Sequence, residues 1–168
     1  GTLSWGSSGS SIQSLGGIAA FSVPKVYSDK MNGGIIAWHD DRDQNNLQSA
    51  FVQRVSSSGA LYFPVDGAKV SLLGSRHKFN PVATINPSNG ETFVFWRETD
   101  INQNFDGISG QKLSLNGSRL WTGNGKIFRD LLSATTDGLG GFNIQRGSDR
   151  TYMMYTKNGG SVVNQRVE

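Results

Sequence analysis

A spacing of 58 residues runs through this chain and constrains its fold more than any other feature. Gly1, Gly59 and Gly117 are separated by that interval. An aromatic follows each glycine four residues later: Trp5, Phe63 and Trp121. A second glycine follows eight residues after the first: Gly9, Gly67 and Gly125. Ile12, Val70 and Phe128 share the next offset, and Leu15, Leu73 and Leu131 the one after. Five shared offsets in three copies are not a chance pattern. Self-similarity at a fixed period marks one supersecondary unit used repeatedly, each copy burying its apolar face against the next.

The match continues downstream. Gly33-Gly34-Ile35-Ile36-Ala37-Trp38 corresponds to Thr92-Phe93-Val94-Phe95-Trp96 and to Thr151-Tyr152-Met153-Met154-Tyr155. Gln53-Arg54-Val55 corresponds to Gln111-Lys112-Leu113 and Gln165-Arg166-Val167. The repeats are therefore 1–58, 59–116 and 117–168, and they organise the whole chain as a single segment. The third is shorter because its connection after Tyr155 is clipped.

Composition decides what the unit is made of. Of 168 residues, 22 are glycine and only 17% are charged. Gly and Asn recur too often in any helix-sized window for helices to form. Each repeat instead reads as four short strands. The first is Phe79–Ile85, with counterparts at Val23–Tyr27 and Gly141–Ile144. The second is the apolar run ending in Trp38, Trp96 or Tyr155, which lacks alternation and so predicts burial on both faces. The third, Ser49–Val55 and its equivalents, mixes polar and apolar residues and predicts shallower burial. The fourth is placed directly after the repeat glycine, at Gly59–Phe63. Asn116-Gly117 and Asn89-Gly90 predict two-residue hairpins with both central residues at positive φ. Four antiparallel strands per repeat is the pattern of a β-propeller blade. The fold class is all-β: three four-stranded antiparallel blades, with Trp5, Trp38, Trp96 and Trp121 packed between them.

Two stretches carry a family resemblance: Gly33–Arg42, ending in Trp38-His39-Asp40-Asp41-Arg42, and Phe51–Leu61, containing Gln53-Arg54-Val55. They resemble the blades of secreted bacterial β-propeller repeat proteins, with Trp-x-Asp-x-Arg followed by a Gln-Arg-Val strand. The second repeat loses the arginine, in Trp96-Arg97-Glu98-Thr99-Asp100, and the third keeps Tyr155 and Gln165-Arg166-Val167. The resemblance implies an extracellular, cell-surface or periplasmic scaffold within a larger protein, and no defined activity. It places the chain as a non-enzymatic scaffold or binding module, with a carbohydrate-binding or carbohydrate-active propeller, lectin or glycosidase-like, as the alternative.

Three repeats are too few for a propeller ring of about 4–8 blades. Either the remaining blades lie on a longer chain, the favoured reading, or a second copy completes a six-bladed ring. In the latter case Leu3–Trp5 would pair with Val162–Val167.

Several chemistries are excluded or weakened. The absence of cysteine removes disulfides, cysteine-ligated zinc, iron–sulfur clusters and thiol catalysis. No apolar run reaches the roughly 18 residues of a membrane span. The net charge of +3 is scattered, which argues against nucleic acid. Gly1–Trp5 is not a signal peptide. Asp100, Asn102, Asn104 and Asp106 offer oxygen ligands at alternate positions, a pattern that suits calcium; the competing reading is a loop whose acids cap turns. No cofactor is otherwise implied. His39 and His77 sit at different repeat offsets and are read as surface residues. Glycosidase chemistry needs paired carboxylates, and the first strands carry only Asp29 near an end, with Glu98 and Asp100 one strand further out. Arg54 and Lys112 are expected to pair with loop acids such as Asp40 or Asp100, or to be solvated.

Overall fold

The computed structural model describes residues 5–15, 18, 21–148, 150–157 and 162–167. Among them every regular element is a strand, and the fold is all-β. The first sheet holds β1 (Lys25–Ser28), β2 (Gly34–Asp40), β3 (Ser49–Val55) and β4 (Ala68–Lys69) in that order. The second holds β5 (His77–Ile85), β6 (Thr92–Thr99), β7 (Phe105–Leu113) and β8 (Lys126–Ser133). The third holds β9 (Leu139–Arg146), β10 (Thr151–Lys157) and β11 (Val162–Val167), with β10 central. All neighbours are antiparallel, and the sheets are not closed into a barrel. The proposed Leu3 pairing lies outside the described residues.

Register follows the repeat. Trp38 faces Phe51 across β2–β3, Trp96 faces Ser109 across β6–β7, and Tyr155 faces Val163 across β10–β11. Four expectations need correction. The fourth strand is not Gly59–Phe63. That segment makes one isolated bridge, Val55 to Leu61, and its second-repeat equivalent one, Leu113 to Arg119. Pro64 then interrupts the ladder because it has no N–H. The chain turns through Gly67, whose N–H donates to the Pro64 carbonyl, and only then does Ala68–Lys69 pair with Phe51–Val52. The third sheet has three strands among the described residues.

β3 is also not shallow: every residue of it is buried, Gln53 and Arg54 included. Gln53 is hydrogen-bonded inside and Arg54 is paired with Asp29, though Arg54 Nη1 is buried without a hydrogen-bond partner. The Asn-Gly turns, finally, each place one residue in the left-handed region: the glycine at Asn89-Gly90 and Asn116-Gly117, the asparagine at Asn32-Gly33. Gly117 N–H donates to the Ser114 carbonyl, giving a longer loop that closes on one positive-φ residue instead of two.

The three sheets stack in one direction. A core cluster joins Ile35, Ala37 and Val52 of the first sheet to Ala83, Ile85, Val94 and Trp96 of the second. Another joins Val82, Phe93, Phe95 and Ile108 to Ile144, Met153, Tyr155 and Val167 of the third. Neighbouring β6 residues thus serve opposite neighbours, as the two-residue side-chain period of a strand requires. The repeat glycines mark where one unit rests on the next. A Cβ on Gly59 would lie 3.1 Å from Cγ of Trp5, and one on Gly117 3.0 Å from Cγ of Phe63. Each aromatic therefore covers the glycine that opens the following repeat.

Candidate functional site

The repeated acids come first, because their side chains decide what chemistry is free. Trp38 Nε1 donates to Asp40 Oδ2 at 2.8 Å, and Trp96 Nε1 donates to Glu98 Oε2 at 3.3 Å. Arg42 completes the first site, at 2.7 Å from Asp40, with its guanidinium 3.6 Å from the centre of the Phe51 ring. The second repeat has no arginine at that position, yet Arg76 from the preceding loop takes its place, 3.0 Å from Glu98. The Trp-x-acid motif is thus a buried indole–carboxylate–guanidinium clamp.

The Gln-Arg position has an equally repeated task. Gln53 Nε2 donates to the Pro64 carbonyl and its Oε1 accepts from Phe63 N–H. Gln111 Nε2 donates to the Thr122 carbonyl and its Oε1 accepts from Trp121 N–H. This glutamine pins the loop that follows the third strand. The side chains of the third pair, Gln165 and Arg166, lie outside the described residues. The cations beside the glutamines do not meet Asp40 or Asp100. Arg54 pairs with Asp29 at 3.2 Å, fully buried, and Lys112 with Glu91 at 3.3 Å.

Of the four candidate calcium ligands, Asp100 and Asp106 each have other partners. Asp100 accepts the N–H groups of Asn102 and Phe105, closing its own loop. Asp41 closes the corresponding loop of the first repeat through the N–H groups of Asn45 and Asn46. Asp106 lies buried in β7, bound by Arg97, Arg129 and the N–H of Leu139. Among the described residues no group of three or more His, Asp or Glu side chains is arranged to hold a metal ion.

The histidines are where the structure departs furthest from the surface reading. His39 is 3% exposed and His77 7%, and both line one cavity of about 430 Å³ where the first and second sheets meet. Phe79 lies between them: its ring centre is 5.5 Å from His39, edge-on, and 5.1 Å from His77, stacked. A β-bulge in β5 after Phe79 creates this arrangement, with Asn80 at positive φ followed by Pro81. Bulges of this kind re-aim side chains, and strained backbone collects at functional sites.

Asn80 N–H donates to His39 Nδ1 at 3.3 Å, so the neutral ring carries its proton on Nε2. That Nε2 is buried and has no partner. Burial pushes the His39 pKa down from 6.5 to about 4, the neighbouring Asp40 opposing the shift and Lys25 adding to it. Gln48 N–H donates to His77 Nδ1, and His77 Nε2 lies 3.3 Å from the Ile101 carbonyl. Gln48 Oε1 and Arg97 Nε, from residues lining the same cavity, are likewise buried without partners. Beside it, Lys78 directs its ammonium to the carbonyls of Leu73 and Arg76, and burial lowers its pKa to about 8.

One signal in the sequence pointed here. The residue after the motif aromatic is His39 in the first repeat and Arg97 in the second, and both reach the cavity. The approach of His77 depends on the packing of β5 against β2 and leaves no local pattern.

No family model and no curated protein matches the sequence. Among solved structures the chain is similar to the crystal structure of an endo-arabinase from Bacteroides thetaiotaomicron VPI-5482, at 12% identity and a TM-score of 0.47. The match covers 86% of this chain, which spans 55% of the length of that one.

Proposed function

We propose that the chain is three consecutive blades of a β-propeller and serves as a non-enzymatic scaffold and binding module, completed by further blades. The observation that carries this is the outer face of the third sheet. Tyr152 and Met154 are 50% and 53% exposed, whereas their repeat equivalents Phe93 and Phe95 are 5% and 0% exposed. The face is apolar along β10 and at Val162, is flanked on β9 by the exposed Asn143 and Gln145, and borders a cavity of about 420 Å³ shared with Tyr27 and Ile144. Because all three sheets face the same way, the missing neighbour is one that presents the face the second sheet presents to the first. Such a contact is head-to-tail, the kind that builds rings. The missing blades belong to a longer chain or to a second copy.

The fate of the acids supports a scaffold over a hydrolase. Asp29, Asp40, Glu98 and Asp106 each hold a structural ion pair. The family resemblance favours a place outside the cytoplasm. No helix of the described residues is long and apolar enough to cross a membrane.

Light scattering tests the reading. The isolated chain is expected to associate as concentration rises, and Met154→Glu is expected to return it to 18.2 kDa. A wild type that stays at 18.2 kDa throughout, with an identical profile for the variant, removes the docking face and the reading with it.

A further inference from the structure

We propose that the cavity between the first two sheets, bounded by the His39–Phe79–His77 stack and Arg97, binds a small carboxylate bearing hydroxyls, which is the chemistry of a sugar acid. This does not depend on further blades docking, because the residues named for the site all belong to the chain itself.

Charge selects an anion. Arg97 and Arg129 both bind Asp106, at 3.0 Å each, so two guanidiniums share one carboxylate and one positive charge is left over. Arg129 is buried within the fold, while the Arg97 side chain is 33% exposed and lines the cavity. Arg97 and Asn80 also line a smaller adjoining cavity of about 140 Å³, which Lys25 borders. Lys25 is exposed and has no ion pair among the described residues. The nearby acids are already engaged, Asp40 by Arg42 and Glu98 by Arg76. Both cations therefore border the smaller cavity, which adjoins the larger one at Arg97 and Asn80. A planar guanidinium suits a carboxylate through charge-assisted hydrogen bonds.

The remaining lining selects hydroxyls and a ring. His39 Nε2–H supplies a donor and Gln48 Oε1 an acceptor, both buried and unpaired. Groups left this way in a native fold call for a partner. Phe21, 71% exposed and with its ring centre 6.3 Å from that of His39, forms part of the cavity's rim. Phe79 and Phe21 offer apolar surface to a sugar face, and the larger cavity falls within the range of ~300–1,000 Å³ usual for small-molecule sites.

The experiment is isothermal titration of the chain with galacturonate, a galacturonate trimer and galactose. Galacturonate is expected to bind at least about 10-fold more tightly than galactose, because galactose lacks the charge-assisted contact. Arg97→Gln is expected to weaken galacturonate about 10-fold, and Lys25→Gln about 3-fold. Lys25 is exposed in a strand at the sheet edge, so its replacement leaves folding intact even if loss of Arg97 disturbs the Asp106 cluster. A trimer that outbinds the monomer assigns the ligand to the end of a polysaccharide, and equal affinity assigns it to a free sugar acid. The proposal is overturned if galactose binds as tightly as galacturonate, if no acid binds saturably, or if Lys25→Gln leaves galacturonate affinity unchanged.

Discussion

The second and third sheets are built from equivalent sequence and end in different environments. β6 and β10 share a register and a run of apolar residues up to the motif aromatic. In β6 every residue but Arg97 is buried, whereas the first five residues of β10 alternate between buried and exposed. The second sheet has a neighbour on each face; the third has one. What distinguishes a strand buried on both faces from one buried on a single face is here the presence of the next sheet, not the strand's own composition. The sequence of β10 remains apolar on its exposed side, which makes that face unfinished surface and underlies its proposed docking role.

The sharpest way to break this comparison is to remove equivalent side chains. Phe95→Ala is expected to destabilise the chain by about 3–5 kcal/mol, through lost burial and a residual cavity. Met154→Ala, at the equivalent position, is expected to change stability by less than about 0.5 kcal/mol in the isolated chain. Urea unfolding measures both. Similar losses at the two sites would show that the third sheet is covered in solution.

Asp106→Asn, at the junction of the second and third sheets, comes next. It leaves two guanidiniums without their carboxylate, one of them buried, and is expected to cost about 3 kcal/mol. The same measurement checks it. A neutral result would mean that the ion cluster is solvated and that the second and third sheets are less firmly joined than the cores suggest.

Protonation probes the other junction, between the first and second sheets. His39 titrates near 4 when folded and at 6.5 when exposed, so the unfolded chain binds the proton more readily. Stability is therefore expected to fall as pH drops from 6.5 through 4, by up to about 3 kcal/mol from this group alone. His39→Phe is expected to flatten that part of the profile. An unchanged slope would place the acid sensitivity elsewhere.

The smallest expected effect contrasts a glycine within the stack with one at its start. Gly67 and Gly9 both have positive φ, but a Cβ on Gly67 would lie 2.5 Å from Trp38, and one on Gly9 meets nothing within 4 Å. Gly67→Ala is expected to cost about 2 kcal/mol or more, and Gly9→Ala about 1 kcal/mol from backbone strain alone. Equal losses would show that Trp38 yields and that the contact between aromatic and glycine is loose.

Much of the architecture was legible in the residues. The repeat placed β2, β6 and β10, and Trp38 and Trp96 are buried as the spacing implies, whereas Trp121 is half-buried and Trp5 is exposed. The start of the fourth strand was not legible, because Gly59–Phe63 is as apolar as a strand and only the turn at Pro64–Gly67 displaces the pairing to Ala68–Lys69. The burial of β3 was missed for a related reason. Gln53 and Arg54 read as solvent-seeking, but each finds partners inside, at Pro64 and Asp29. A buried polar side chain that finds such partners carries a reduced penalty for burial, although Arg54 Nη1 is left without one.

The sequence alone therefore determined that this chain is all-β, that it repeats in three units, and that the units contact one another through glycines and aromatics. These properties are local or periodic, and periodicity survives in a linear string. Only the tertiary structure decided which faces of those units are covered, which cation meets which acid, and that His39, His77 and Arg97 share a cavity. His77 and His39 are distant in the chain and lie at unrelated repeat offsets. They meet because a bulge at Asn80 and the packing of one sheet on the next bring them there, and neither cause is written in the residues on either side.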